Sequence, residues 1–280
     1  MQQFRPGGFT LLPPVVKNLL IINGLFFLAT LALGNTFGID LYRVLGLHFP
    51  GAQNFAPYQF ITYMFMHGGF THLFFNMFAL WMFGNVLENV WGPKRFVVYY
   101  LITGLGAALL HYAVLYWQMF PTLRAVNMVL ENPDHESLKL FFESEYFKVT
   151  SLEIQNNFRL FLRDYNSLIN DSPNEAMVRA INFLNQYRVD FLNAPVVVGA
   201  SGAVFGILLA FGMLFPNSLI YLFFAIPIKA KYFVMIYGAM ELYFGIANRP
   251  GSNVAHFAHL GGMLFGYFLI RYWRKKGNLY

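Results

Sequence analysis

The chain has 280 residues, no cysteine, 57% hydrophobic residues and only 11% charged ones, where soluble domains carry about 25%. With 33 Phe, 17 Tyr and 12 Met, it holds more apolar surface than a water-soluble fold of this size can hide, so lipid must cover part of it. The absence of cysteine excludes disulfides, thiolate catalysis and cysteine metal sites, and the net charge of +6 is distributed along the chain in a way that argues against a nucleic-acid partner.

Residues 1–16 lack the features of a cleaved leader: their charge is slight, Pro13-Pro14 interrupts them, and no small-residue cleavage pattern follows. The first apolar run, 16–34, is therefore expected to be a retained helix. Residues 35–70 follow, rich in Phe, Tyr, Gly and Pro. They are expected to form a tightly folded loop, because irregular backbone at membrane depth needs internal hydrogen-bond partners. Further runs at 71–88, 95–117, 195–215, 231–247 and 255–273 complete a set of six, each near the ~20 residues needed to cross an apolar slab. Pro195 opens the fourth of these, where its missing N–H is harmless. The apolar run 218–228 contains Pro227 and is short, so it is expected to lie at the interface or partly re-enter. The expected fold is an all-α polytopic membrane protein with six transmembrane helices.

Between the third and fourth runs, residues 119–194 hold seven Lys/Arg and ten Asp/Glu, with helix-like apolar spacing in three patches divided by Pro133 and Pro173. This reads as an acidic, helical, extracytoplasmic insert. Loop charge sets the orientation. One side receives Arg5, Lys17, Lys94, Arg95, Lys229, Lys231, Arg271, Arg274, Lys275 and Lys276, while the short loops opposite hold only Arg43 and Arg249. Both termini are thus expected on the cytoplasmic side, in a bacterial inner membrane. The domain reading is helices one to three with loop 35–70 in 1–118, the insert in 119–194, and helices four to six with a basic tail in 195–280.

This topology brings polar residues of three helices to one shallow layer, about 2–10 Å below the outer surface. His72 and Asn76 lie near the start of the second helix, Ser201 about six residues into the fourth, and His259 near the start of the sixth. Ser201 sits among small residues, Gly199, Ala200, Gly202, Ala203 and Gly206, and Gly262 and Gly266 follow His259 in GxxxG spacing. Small faces let helix backbones approach closely. Such an approach would let His259 take the Ser201 proton and return it to a leaving amine. His72 and Asn76, four apart on one helix face, and the Ser201 N–H are candidate donors to an oxyanion. Glu241, the one acidic residue deep in an expected span, reads equally as an orienting group or as a protonated structural residue. His67, His111 and His256 also fall in the outer layer, but HExxH is absent and position 260 of a possible HxxxH is Leu, so no metal is expected. A non-catalytic adaptor and a transporter are the competing classes; the full polar set argues against the first, and the shallow cluster without an internal repeat against the second.

Four segments, HGGFTHLFFNM at 67–77, GNVLENVWG at 84–92, GASGAVFG at 199–206 and AHLGG at 258–262, together resemble the rhomboid family of intramembrane serine proteases. The resemblance covers about 50–118 and 195–273. It implies a six-helix rhomboid-like bundle with Ser201 and His259 as catalytic dyad, His72 and Asn76 as oxyanion stabilisers, and Gly199, Gly202, Phe205 and Gly262 as active-site packing. It also implies that Glu88 and Gly92 are structural and that His67 matches a loop histidine. It further implies cleavage of transmembrane protein substrates near small residues, without a cofactor, using water from the external side. Phe205 stands where some members carry a tyrosine, so the stacked ring is kept and its hydroxyl lost. Substrate is expected to enter near the second and fifth helices, with the lead-in to the fifth helix and loop 248–254 as mobile cover.

Overall fold

Helix α1 (Pro14–Phe37) starts with proline in its first turn and ends at Gly38, whose φ of 64° allows its N–H to close on the Gly34 carbonyl. Its N-terminal amides are capped from a distance: Glu88 Oε1 accepts from Val15 N at 2.9 Å and Oε2 from Val16 N at 2.8 Å. Glu88 is 2% exposed. A buried carboxylate is tolerated here because it satisfies two orphan donors at the positive end of the helix dipole. This is the structural role expected of Glu88. These observations come from a computed structural model, which describes residues 10–222, 225–247 and 255–277. Arg5, Arg249 and the expected cover at 248–254 lie outside the described residues.

The chain divides into two units, the first made of Met1–Leu47, Pro57–Tyr112 and Val197–Tyr280, the second of His48–Ala56 and Ala113–Val196. In the first unit the loop after α1 is folded as its composition requires. It contains α2 (Leu41–Leu45), capped by Asp40, then α3 (Gln59–Thr62) and a 3-10 turn at Tyr63–Phe65. Side chains satisfy its backbone: Thr62 donates to Leu45 O at 2.7 Å, Gln59 to Val44 O at 3.1 Å, and Tyr42 to His67 O at 2.7 Å. Helix α4 (Phe70–Ala79) passes through a π segment, Leu80–Gly84, into α5 (Asn85–Trp91). Gly84 in that segment lies against Val16 and Phe96, where a Cβ would be crowded.

Helix α6 (Pro93–Glu131) has 39 residues and is therefore about 58 Å long, nearly twice an apolar slab of ~30 Å. The expectation of 95–117 is extended: hydropathy falls after Trp117, but the helix continues through Pro121 to Glu131, with Met119, Thr122, Val126 and Val129 buried at helical spacing. Residues 93–112 belong to the first unit and the remainder to the second. In the second unit, α7 (His135–Glu143), α8 (Leu152–Leu168) and α9 (Pro173–Asn193) follow. Asp134 and Ser151 cap the first two, and Pro173 opens the third. The three apolar patches are therefore helices; Pro173 marks the boundary of the second and third, whereas Pro133 precedes the first and the break between α7 and α8, at 144–151, holds no proline. Their buried faces share an aromatic core: Phe161 stacks on Phe183 with centroids 4.5 Å apart, and Phe147 meets Phe158 at 4.6 Å. Asp190, 6% exposed, accepts from Asn157 at 2.8 Å and Gln186 at 2.7 Å, so its charge is not left unpartnered.

The fourth expected helix is shorter than its sequence implied. Residues 195–200 are not helical, and α10 spans Ser201–Leu214, 14 residues. Three β-branched residues, Val196–Val198, keep the chain extended, and Gly199 turns it with φ 124°. After α10, Leu219–Leu222 and Ile226–Lys229 pair antiparallel, Tyr221 opposite Pro227. The run expected to lie at the interface or partly re-enter is thus a hairpin, an addition to the all-α reading. Helices α11 (Ala230–Ala247) and α12 (His256–Lys275) complete the unit. Among the described residues three helical stretches, Pro14–Phe37, Phe70–Trp91 and Pro93–Glu131, are long and apolar enough to cross a membrane, and Ser201–Leu214 is a shorter apolar helix.

Replacing Glu88 with Ala should leave one buried and one part-buried amide unsatisfied, at a cost of about 1–3 kcal/mol. Thermal unfolding in detergent should show this loss, with amide exchange at Val15 and Val16 accelerated beyond that of the middle of α1.

Candidate active site

Because α10 begins at Ser201, the residue stands in the first helical turn, not six residues inside a helix. There the backbone N–H groups of the first turn have no intrahelical acceptor and the helix dipole is positive. Gly199 makes this placement possible. Its N–H donates to Tyr63 O at 2.9 Å, fixing the strand-like approach to the buried 3-10 turn, and its φ of 124° is one that L side chains rarely adopt.

Ser201 and His259 meet because α10 and α12 touch backbone to backbone. A Cβ on Gly262 would overlap the carbonyl of Gly202, and one on Gly202 would overlap the Ala107 methyl of α6. A Cβ on Gly206 would come within 2.6 Å of Thr103, and Tyr99 donates to the Gly206 carbonyl at 2.8 Å. Small residues here set the spacing of three helices. At that spacing Ser201 Oγ lies 2.8 Å from His259 Nε2. The Phe205 ring stacks flat on the imidazole, centroids 4.1 Å apart and planes 5° from parallel, so the ring contact survives without a hydroxyl. Gly199 lies beside Ser201 Oγ and Phe205 on the imidazole, while Gly202 and Gly262 form the helix contact that brings the pair together.

His72 also reaches the site. A Cβ on Gly199 would lie 2.7 Å from His72 Cε1, 2.8 Å from its Nε2 and 3.7 Å from Ser201 Oγ. The imidazole and the hydroxyl thus flank one bare Cα. Asn76, 5% exposed, donates to the His72 carbonyl at 2.9 Å, which uses one of its two amide hydrogens and holds the helix turn that carries His72. His67 is 1% exposed and packs edge-on against His72, centroids 5.1 Å apart. Burial, reinforced by His72, pushes His67 down to about 4, so it is neutral near pH 7. His111 packs against Tyr112.

Two residues without an assigned role in the sequence reading belong to this site. Glu241 Oε2 lies 2.6 Å from His256 Nδ1 and 2.9 Å from His259 Nδ1. The first contact is a hydrogen bond; in the second, His259 Nδ1 is close but off the hydrogen-bond axis. The signal in sequence was the H-x-x-H spacing of 256 and 259, which puts both rings on one helix face; the carboxylate arrives from another helix. These three side chains offer the donor set of a metal site, their ligand atoms all within 4.8 Å of one another, which a search for HExxH or HxxxH overlooks. Ligands of a tetrahedral zinc stand about 3.3 Å apart, wider than the 2.6 and 2.9 Å separations of these atoms. Beside these side chains stands the Ser201 hydroxyl next to the His259 imidazole.

Fold and site define an apolar helical membrane protein with a serine–histidine pair at a helix N-terminus. Residues 54–122 and 176–276, more than half of the chain, match the family model described as Rhomboid domain. The chain belongs to the rhomboid family of membrane proteases. The match includes both ends of the insert and passes over 123–175. Among relatives, Rhomboid-like protein 11, chloroplastic, of Arabidopsis thaliana is 34% identical over 100 residues, 33% of this chain and 34% of that protein. Rhomboid-like protein 15 of the same plant is 30% identical over 101 residues, 36% of this chain and 24% of that protein. RHOMBOID-like protein 6, mitochondrial, is 42% identical over 58 residues, 21% of this chain and 19% of that protein. The matched stretches span about a third or less of the length of these relatives.

Gly262→Ala should part α10 from α12 and slow reaction of Ser201 with a fluorophosphonate by about a hundred-fold, the usual effect of ~1 Å misplacement. Gly24→Ala, where a Cβ meets nothing within 4 Å, should leave the rate unchanged. Labelling rates of the two purified variants provide the comparison.

Proposed function

We propose that the chain is an intramembrane serine endopeptidase that cleaves transmembrane protein substrates near the extracytoplasmic face, with Ser201 as nucleophile and His259 as base. The 2.8 Å approach of Ser201 Oγ to His259 Nε2 carries this reading. A hydroxyl is a weak nucleophile until a neighbouring base accepts its proton. As Oγ attacks the scissile carbonyl, the proton passes to Nε2, and the developing oxyanion draws on His72, Asn76 and the first N–H groups of α10. Nε2 then protonates the leaving amine. Water, activated by the same imidazole, hydrolyses the acyl-enzyme.

The substrate is a membrane helix that unwinds near small or helix-breaking residues, since a regular helix hides its carbonyls in its own hydrogen bonds. No cofactor takes part in these steps. In this reading the chain is a six-helix bundle with both termini on the cytoplasmic side of a bacterial inner membrane, the acidic insert outside and the polar cluster near the outer surface. Loop charge supports it.

The test is cleavage of a panel of single-span substrates by the full chain in liposomes. The expected outcome is cleavage near the outer boundary, lowered at least about 1,000-fold by Ser201→Ala or His259→Ala and about 10- to 1,000-fold by His72→Ala. Cleavage undiminished in Ser201→Ala overturns the nucleophile; a wild-type chain that neither cleaves nor reacts with a fluorophosphonate favours a non-catalytic member.

A further inference from the structure

Stacking on Phe205 fixes the plane of the His259 ring but not which edge faces Ser201, because a ring flipped by half a turn stacks equally well. Something must select the productive edge. On the side away from the serine, Glu241 Oε2 stands 2.9 Å from His259 Nδ1 and 2.6 Å from His256 Nδ1. The three side chains are only 10–15% exposed. A carboxylate so enclosed is costly unless donors converge on it, and here one imidazole is hydrogen-bonded to it and a second lies within 2.9 Å.

We propose that Glu241 is the positioning residue of the His259 base, and that His256 is the clamp that keeps its carboxylate turned toward His259. This rests on the Ser201–His259 reading above. One carboxylate oxygen facing two imidazole nitrogens sets both rings with the proton on Nδ1. His259 Nε2 is then a lone pair directed at Ser201. When Oγ bonds to the carbonyl carbon, the hydroxyl proton moves to Nε2, and the resulting imidazolium lies beside the carboxylate. Glu241 takes no proton. Nε2 gives its proton to the leaving nitrogen as the C–N bond breaks, which restores the neutral ring. The contact at Nδ1 is close, 2.9 Å, but off axis, and catalytic hydrogen bonds commonly tighten as charge develops. His256 opens α12, three residues before His259, so one helix carries both the base and the clamp. Glu241 comes from α11, which ties the packing of α11 on α12 to the orientation of the base.

The test compares Glu241→Gln, His256→Ala and the double variant in the full chain. The readouts are kcat and KM on a cleavable transmembrane peptide, the rate of fluorophosphonate labelling, and the melting temperature. Glu241→Gln should lower kcat and labelling about 10- to 100-fold with KM within about twofold, and His256→Ala about 3- to 10-fold. The double variant should fall no further than Glu241→Gln, because both changes act through one carboxylate. Wild-type rates in Glu241→Gln, or losses that multiply in the double variant, overturn the proposal. Should Glu241→Gln not fold, His256→Ala decides alone: a lower kcat at unchanged melting temperature supports the clamp, and a wild-type kcat overturns it. Variants at wild-type rate in a chain that cleaves through Ser201 sink the positioning role only. A wild-type chain that neither cleaves nor labels sinks the parent reading with it.

Discussion

At Gly262 the backbone of α12 lies against the carbonyl of Gly202 on α10, a contact that leaves no room for any side-chain atom. Helix axes usually stand 8–10 Å apart, a spacing set by the side chains between them. Removing those side chains at Gly202 and Gly262 brings the helices closer than ordinary residues permit. This separation, rather than any property of Ser201 or His259 alone, puts Oγ within 2.8 Å of Nε2. α6 reinforces it: Ala107 and Thr103 fill the space beside Gly202 and Gly206, and the Tyr99 hydroxyl reaches the Gly206 carbonyl.

The same apolar setting explains the treatment of polar groups. In lipid or in a dry helix bundle an unsatisfied charge or amide costs several kcal/mol. Glu88 answers this by capping α1, and Glu241 by meeting two imidazoles. The two carboxylates look alike in sequence, each an isolated acid in an apolar run. Their surroundings separate them. One holds backbone amides and builds the fold; the other faces a ring that must change charge during the proposed reaction.

Much of this was legible in the sequence. The small residues around Ser201 and after His259, the i,i+4 pair of His72 and Asn76, and the isolation of each in an apolar run pointed to one polar layer. The insert's helices were visible as apolar spacing, two patches between Pro133 and Pro173 and one after Pro173. What escaped had local causes. Hydropathy made 195–215 one segment, whereas Val196–Val198 and Gly199 hold the chain out of the helix until Ser201; this moved the serine to a helix N-terminus, where its neighbours' N–H groups are unpaired. Hydropathy also ended the third helix near Trp117, although helical backbone continues to Glu131. The hairpin at 219–229 was hidden by an apolar run too short for its periodicity to be read. The Glu241–His256 contact joins two helices, and no spacing rule along one helix reports such a pair.

An experimental structure of the chain after reaction with a fluorophosphonate tests the central claim most directly. The account predicts phosphorus bonded to Ser201 Oγ, with its free oxygen held between the His72 ring and the first N–H groups of α10, and His259 Nε2 beside Oγ. An adduct on another residue, or a phosphonyl oxygen turned away from the α10 N-terminus and His72, contradicts it.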